Sequence, residues 1–391
     1  MHLGIYCDSG INGGHEEMLK RLMQVLASSK RIETLYILVS TTNAALYRYV
    51  NAMAGDHAKV HAVALPFTSE SFRGNRLTLV RSIRSTAATM RKLKLTKLIV
   101  AQGTIVSGIA GLLAGRYARV PTVSYLPLVD DPPVGAGVMG KAKWIIKRVL
   151  YRAPSEFITL NEHLQGKLSG LAPHTRAMIL ENYVDDRFSR SGLTKHAARS
   201  ALSLPNDGTT IIAQIGRINF CQKRQDFLMG AIQRNPEAFK RALVLIVGEG
   251  PDASRLAAMV EASPILSSCV RLVGSQSDVL PYIIASDTLV LPSAYEGVPL
   301  VMIEAVLAER PIVVSRVSGL DSYLPDALLF PPDDANIFIE RIFAAPNVPM
   351  GALASDFRRR FSREVFEAEA QKVIATAPSE SDAFDLTKTQ T

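Results

Sequence analysis

The chain has 391 residues, 48% of them hydrophobic and 20% charged, which excludes disorder as its main state and gives room for two domains of ordinary size. Its net charge of +8 matters less than where the charge lies: residues 71–155 carry fifteen Lys or Arg against two acids, Asp130 and Asp131. Such a stripe suits an anionic membrane surface or nucleic acid, or is a solvated helix face; the scarcity of aromatics among the cations argues against base stacking and so against nucleic acid.

Cys7, Cys221 and Cys269 are odd in number and far apart, a pattern that fits neither a disulfide framework nor a zinc site and favours a reducing compartment. The opening "MHLGIYCDSG" lacks the basic and apolar regions of a leader, and no apolar run approaches the roughly 18 residues that span a bilayer. A cytoplasmic protein is expected.

Along the chain, short apolar or β-branched runs alternate with segments of helical spacing. The runs are "HLGIYC", "LYILVS", "KVHAVAL", "KLIVAQ", "PTVSYLP", "EFITL" and "AMILEN". This is the pattern of a parallel sheet covered on both faces. It breaks at the polar stretch 186–209, which closes on a Pro-Asn-Asp-Gly turn signal, and resumes with "TIIAQIG", "ALVLIVG", "CVRLVG", "TLVLP", "PIVVS" and "ALLFP". Two doubly wound α/β domains in tandem are predicted. A helical stretch near 352–375 then precedes a polar tail.

Ligands of such sheets bind at the carboxyl ends of strands, and four of those loops stand out. After the first strand, Gly13-Gly14 opens a helix where backbone N–H groups can meet a phosphate, or forms a plain tight turn; His15 follows at the same loop. After "TIIAQIG", Arg217 and Lys223 suit a diphosphate. After "ALVLIVG", Gly248, Gly250 and Ala253 mimic a dinucleotide fingerprint, but the next strand ends "VRLVGSQ" without the acid that would hold a ribose, which disfavours a dehydrogenase.

The fourth loop, "SAYEGVPLVMIEAVLAE", holds Glu296 and Glu304 separated by seven residues, all apolar but Gly297. Pro299 marks the first turn of a buried helix. Glu296 falls in the loop and Glu304 one to two turns into the helix, where a carboxylate needs partners. Those partners are either a salt bridge or the vicinal hydroxyls of a ligand, since an ionised carboxylate accepts two hydrogen bonds from a diol.

The E-x7-E spacing of Glu296 and Glu304, with "LPSAYEG" before it and "ERPIVVSRVSG" after, resembles the donor-site signature of retaining GT-B glycosyltransferases, family 4. "GRINFCQKRQD", "LIVGEGP", "VRLVGSQSDVLPYIIASD" and "LENYVDDRF" resemble further motifs of that family in the right order. The resemblance covers the C-terminal domain almost throughout and the N-terminal half mainly at Gly13-Gly14. It implies a GT-B fold, two doubly wound Rossmann-like domains facing a central cleft. It also implies a retaining, metal-independent hexosyltransferase that uses a nucleoside diphosphate sugar as co-substrate, with no cofactor and no metal.

The roles it implies are specific. Arg217, Lys223 and Glu296 form the catalytic set, the two cations on the departing diphosphate and the carboxylate on the sugar hydroxyls. Glu304 holds the ribose. Backbone near Gly13, Gly14, Gly216, Gly297 and Val298 contacts the donor, and main chain at Gln276 reads the base. Many relatives place histidines where this chain has Gln102 and Tyr125; these two, with His15 and Asp130, are expected near the acceptor. The "KAKWIIKRVLYR" segment places Trp144, Lys147 and Arg148 on a membrane-facing surface.

The expected layout is an acceptor-binding domain over 1–185, a linker over 186–208 and a donor-binding domain over 209–351. A C-terminal helix over 352–375 packs back toward the first domain, and 376–391 form a disordered tail. The expected partners are a nucleotide sugar, a lipid-linked (polyprenyl-diphosphate-type) or other glycan acceptor, and the inner leaflet of the membrane, with the protein peripheral there. The expected process is synthesis of a surface polysaccharide or glycolipid. Two alternatives stay open: a catalytically silent GT-B protein that binds nucleotide sugar or anionic lipid, and a nucleotide-sugar epimerase.

Overall fold

The computed structural model describes residues 1–10, 13–72, 75–133 and 137–375. The expected tail 376–391, and Arg73 of the basic stripe, lie outside the described residues. The chain divides into two units, one comprising Met1–Glu181 and the chain from Phe366, the other Asn182–Val365.

The first unit is built on β1 (His2–Cys7), β2 (Thr34–Ser40), β3 (Val60–Leu65), β4 (Lys97–Ala101), β5 (Thr122–Tyr125), β6 (Glu156–Thr159) and β7 (Arg176–Ile179). They form one sheet in the order β3-β2-β1-β4-β5-β6-β7. Every pairing is parallel, with Ile5 opposite Ile37 and Ile99. Helices cover both faces, so the strands are apolar runs without alternation; all five residues of β4 are buried.

One of those five is Lys97. Burial lowers its pKa, while the charge of Glu156 raises it. Its Nζ donates to the Val373 carbonyl at 2.9 Å and lies 3.4 Å from Glu156 Oε1. This bond, with Ser29 Oγ donating to Gln371 Oε1 at 3.0 Å, ties the Arg363–Ala375 helix to the first unit. The expected single stretch 352–375 is in fact two helices, Gly351–Arg360 and Arg363–Ala375. Phe361 interrupts them, buried with its ring 4.9 Å from that of Phe357 and 5.9 Å from that of Tyr323.

The second unit holds β8 (Thr210–Ile215), β9 (Ala242–Val247), β10 (Val270–Gly274), β11 (Thr288–Leu291), β12 (Ile312–Ser315) and β13 (Leu329–Phe330) in the order β10-β9-β8-β11-β12-β13, again all parallel. Both units are thus Rossmann-like. In each, the order reverses at one point, between β1 and β4 in the first and between β8 and β11 in the second, and crevices for ligands open at such points.

The expected linker 186–208 is instead part of the second unit. It contains the helices Arg187–Arg190 and Lys195–Ala201, and its polarity serves a buried charge cluster. Asp287, at the foot of β11, accepts from Arg199 Nη2 at 2.6 Å and from the Ile211 N–H at 2.7 Å, and it pairs with Lys195. Burial pushes the Asp287 carboxyl up, but these hydrogen bonds and the two cations hold it below its ordinary value.

Candidate functional site

In the second unit the loops after β8, β9 and β10 are laced together by main chain. The Gly216 N–H donates to Val247 O at 2.9 Å, Ile218 N–H to Glu249 O at 2.9 Å, and Gly248 N–H to Gly274 O at 2.8 Å. Gly248 sits at φ +143, and a Cβ there would lie 2.0 Å from the Gly216 carbonyl oxygen. At Gly250 it would lie 2.2 Å from Ile218 O. The Gly-x-Gly that mimics a dinucleotide fingerprint therefore serves close apposition of two backbones.

Lys223 ends the short helix Phe220–Lys223, which Asn219 caps through its side chain. Its carbonyl accepts from Gln214 Nε2 at 2.7 Å. Arg224 follows at φ +55 and turns the chain into the helix Gln225–Arg234. Gln225, fully buried, accepts from the Asn219 N–H and donates to the Arg217 carbonyl at 3.0 Å, while Asp252 accepts from the Phe220 N–H at 2.8 Å. These bonds shape the loop that carries Arg217 and Lys223. The Arg217 guanidinium, half-buried, has no ion pair among the described residues.

The loop after β11 comes to the same place. Ala294 N–H donates to Gln222 O at 2.8 Å, and Glu296 N–H to Ser318 Oγ at 3.3 Å. The outcome is an ion pair between residues 73 apart in sequence: Lys223 Nζ lies 2.6 Å from Glu296 Oε1. Glu296 is only 5% exposed. The pair spans the point where the strand order reverses. Two polar atoms there, Gln214 Oε1 and Ser293 Oγ, are buried without a hydrogen-bond partner among the described residues.

The remaining second-unit residues flank this pair. Gly297 and Val298 are buried, and the Val298 carbonyl accepts from Asn182 Nδ2 at 2.6 Å. Pro299 stands at the N-cap of the Leu300–Leu307 helix, one position before its first turn. Glu304 is half-buried on that helix. Gln276 is exposed in the loop after β10 and donates to Val273 O at 3.4 Å. Sequence reasoning named Arg217, Lys223 and Glu296 but missed Gln214, Gln225, Asp252 and Asn182. A glutamine inside the otherwise apolar strand "TIIAQI" was the readable signal for the first of these.

In the first unit, Gly13 is the N-cap of the Gly14–Ser28 helix, extended and without a side-chain cap. The ring nitrogens of His15 are buried without hydrogen-bond partners among the described residues, and its ring lies 5.0 Å from that of Tyr125. Burial pushes the His15 pKa down, with the charge of Glu16 opposing. Tyr125 is itself buried, which raises its hydroxyl pKa.

Gln102 does not reach a surface. It is fully buried, donates to Ile105 O at 3.1 Å and Ser107 O, and accepts from Ser124, so it orders the loop after β4. Asp130 is paired with Lys147 at 2.5 Å and accepts from Tyr151 Oη at 3.1 Å, while Asp131 pairs with Lys167 at 2.6 Å. Asp8, which sequence reasoning passed over, is a buried carboxyl at the end of β1 that accepts from Tyr6 Oη at 2.9 Å and Ser69 Oγ at 2.5 Å. Burial raises its pKa against those two bonds.

Residues 209–345 match the family model described as "Glycosyl transferases group 1". D-inositol 3-phosphate glycosyltransferase 2 of Catenulispora acidiphila is 30% identical over 244 residues, which cover 56% of this chain and 55% of that protein. The chain therefore spans little more than half the length of that relative. The UDP-Gal:alpha-D-GlcNAc-diphosphoundecaprenol alpha-1,3-galactosyltransferase of Escherichia coli is 24% identical, with 68% of this chain and 71% of that one covered. Anabaena HepE, solved in complex with UDP-glucose, superposes with a TM-score of 0.72 at 16% identity over 96% of this chain and all of the other. Residues 209–345 of the second unit thus match the glycosyl transferases group 1 model, within a chain that has the GT-B fold of two Rossmann-like units.

Proposed function

We propose that this protein is a retaining, metal-independent hexosyltransferase of family 4. It moves a hexosyl group from a nucleoside diphosphate sugar to a lipid-linked glycan acceptor, of the polyprenyl-diphosphate type, in surface polysaccharide or glycolipid synthesis. The observation that carries the reading is the buried Lys223–Glu296 pair, 2.6 Å long, at the reversal point of the sheet in the matched domain. The UDP-glucose in the HepE structure supports the donor class, and the name of the E. coli relative supports both the donor and the lipid-linked acceptor.

In the reaction, the bond from the sugar's anomeric carbon to the diphosphate oxygen breaks while the acceptor hydroxyl oxygen bonds to that carbon on the same face. The hydroxyl proton passes to the departing phosphate. Arg217 and Lys223 neutralise the charge growing on the diphosphate, in a site where fixed charges act in partial exclusion of water. Glu296 accepts from the sugar hydroxyls, held in place by Lys223. Glu304 accepts from the ribose, and main chain at Gly216, Gly297, Val298 and Gln276 lines the donor. The protein works peripherally at the cytoplasmic face of an anionic membrane, where such acceptors reside.

The test is to incubate the protein with UDP-, GDP-, ADP- and dTDP-hexoses and a polyprenyl-diphosphate-linked sugar, then determine the product's anomeric configuration by proton NMR. Transfer from one donor with the donor's configuration kept, and undiminished by EDTA, is expected. Inversion, or loss of transfer with EDTA, contradicts the proposal.

A further inference from the structure

The Val138–Leu150 helix of the first unit buries one residue, Leu150. Val138, Met139, Ile145, Ile146 and Val149 are between 59% and 87% exposed. At 3.6 residues per turn, Val138, Ala142, Ile145 and Val149 form one outward stripe, widened by Met139 and Ile146. Lys141 and Arg148 border the stripe on one side and Lys143 on the other. Lys147 and Trp144 fall on the opposite half: Lys147 is bound to Asp130, and Trp144 is half-buried. The helix is thus docked through Leu150, Trp144 and Lys147 and presents a stripe of apolar residues outward. No acid occurs between Pro132 and Ser155. The apolar contact expected of Trp144 belongs to its neighbours instead.

The surroundings extend the pattern. The crossovers from β3 to β4 and from β5 to β6 run in the same direction across the sheet, so right-handed connections put their helices on one face. The Arg76–Lys92 helix on that face exposes Leu77 and Val80 among Arg76, Arg81 and Arg84.

From this we infer that the Val138–Leu150 helix is a membrane-insertion element: its apolar stripe enters the acyl boundary of an anionic bilayer while Lys141, Lys143 and Arg148 meet lipid phosphates. The inference rests on the proposed work at a membrane surface and deepens it, replacing adsorption by charge alone with burial of a defined apolar stripe. A bilayer answers both halves of the surface, acyl chains for the stripe and phosphates for its margins. A second copy of the chain does not, because symmetric pairing of the stripe sets its cations against each other. Among the described residues no helix is long and apolar enough to cross a membrane, so a helix lying in the interface plane is the form such an element takes.

The experiment is flotation of the full chain with phosphatidylcholine vesicles, with and without about one-third phosphatidylglycerol. Val149→Trp in a Trp144→Phe background moves the chain's one tryptophan onto the stripe, where its emission reports insertion through quenching by brominated lipid. Binding to the anionic vesicles with quenching is expected. Ile145→Glu with Ile146→Glu should lower the partition coefficient at least about tenfold, given the apolar area withdrawn. Lys141→Glu with Lys143→Glu should remove most of the preference for phosphatidylglycerol. The positions changed to Glu are exposed, and unchanged thermal unfolding and nucleotide-sugar binding of the isoleucine variant establish that it is folded.

Equal flotation of the wild type and the isoleucine variant overturns the inference. So does a wild-type dimer that the isoleucine change dissociates while neither form floats. A chain that binds nucleotide sugar but no vesicles sinks the membrane inference alone. One that binds vesicles but no nucleotide sugar supports it and refutes the transferase reading.

Discussion

Lys223→Met is expected to lower glycosyl transfer by about 10²–10³-fold, the range seen when one preorganised charge-stabilising donor is removed from an active site. The same change should destabilise the second unit by about 3–5 kcal/mol, because Glu296 is left as an uncompensated buried carboxylate. The pair lies almost wholly out of water, with side-chain exposures of 15% for Lys223 and 6% for Glu296, so solvent does little to screen it.

A second substitution separates structure from chemistry. Replacing both partners, Lys223→Met with Glu296→Gln, removes the charge imbalance, and stability should return to within about 1 kcal/mol of the wild type, since a neutral replacement of a buried pair is often tolerated. Activity should stay lost. If the double variant recovers activity together with stability, the pair is an ordinary buried salt bridge and its catalytic assignment fails. Urea unfolding read beside initial rates makes the comparison.

Gly248→Ala should destabilise the second unit by about 2–5 kcal/mol, adding an unfavourable backbone conformation at φ +143 to overpacking against a neighbour that cannot yield. The atom met at 2.0 Å is the Gly216 carbonyl oxygen, part of the backbone, and no rotamer change relieves the contact. Parting the β8 and β9 loops also displaces Arg217, so affinity for nucleotide sugar should fall as well. Gly230→Ala is the control: its Cβ meets nothing closer than the flexible Arg234 guanidinium at 3.7 Å. In the Gln225–Arg234 helix it should raise stability by about 0.4–1 kcal/mol. Equal stability of the two variants in urea would contradict the close-apposition account of Gly248.

The strands were legible because doubly covered parallel strands must be continuously apolar, and runs such as "KLIVA" and "TLVL" leave few other readings. The loop identities followed from the same rule, since chemistry gathers at the carboxyl ends of strands. Long-range pairing is what a sequence conceals. Nothing local in "FCQK" and "SAYEG" says that Lys223 and Glu296 touch.

The stretch 186–208 read as a linker because charged residues normally mark solvent; Arg199 is buried there only because Asp287, 88 residues on, receives it. Gln102, in a place where surface chemistry was expected, turned out to organise its own loop. On the Val138–Leu150 helix, the cations around Trp144 point to a membrane-facing surface but not to which half docks, and the pairing of Lys147 with Asp130 sets that.

The central claim is a nucleotide-sugar site in the second unit, and a thermal-shift panel of UDP-, GDP-, ADP- and dTDP-sugars against the wild type and Glu304→Ala tests it most directly. A true donor at about a hundred times its dissociation constant adds roughly 2.7 kcal/mol to stability. The account predicts a clear rise in melting temperature confined to one nucleotide, and its loss in Glu304→Ala. No rise with any of the four, or an equal rise in the variant, would contradict it.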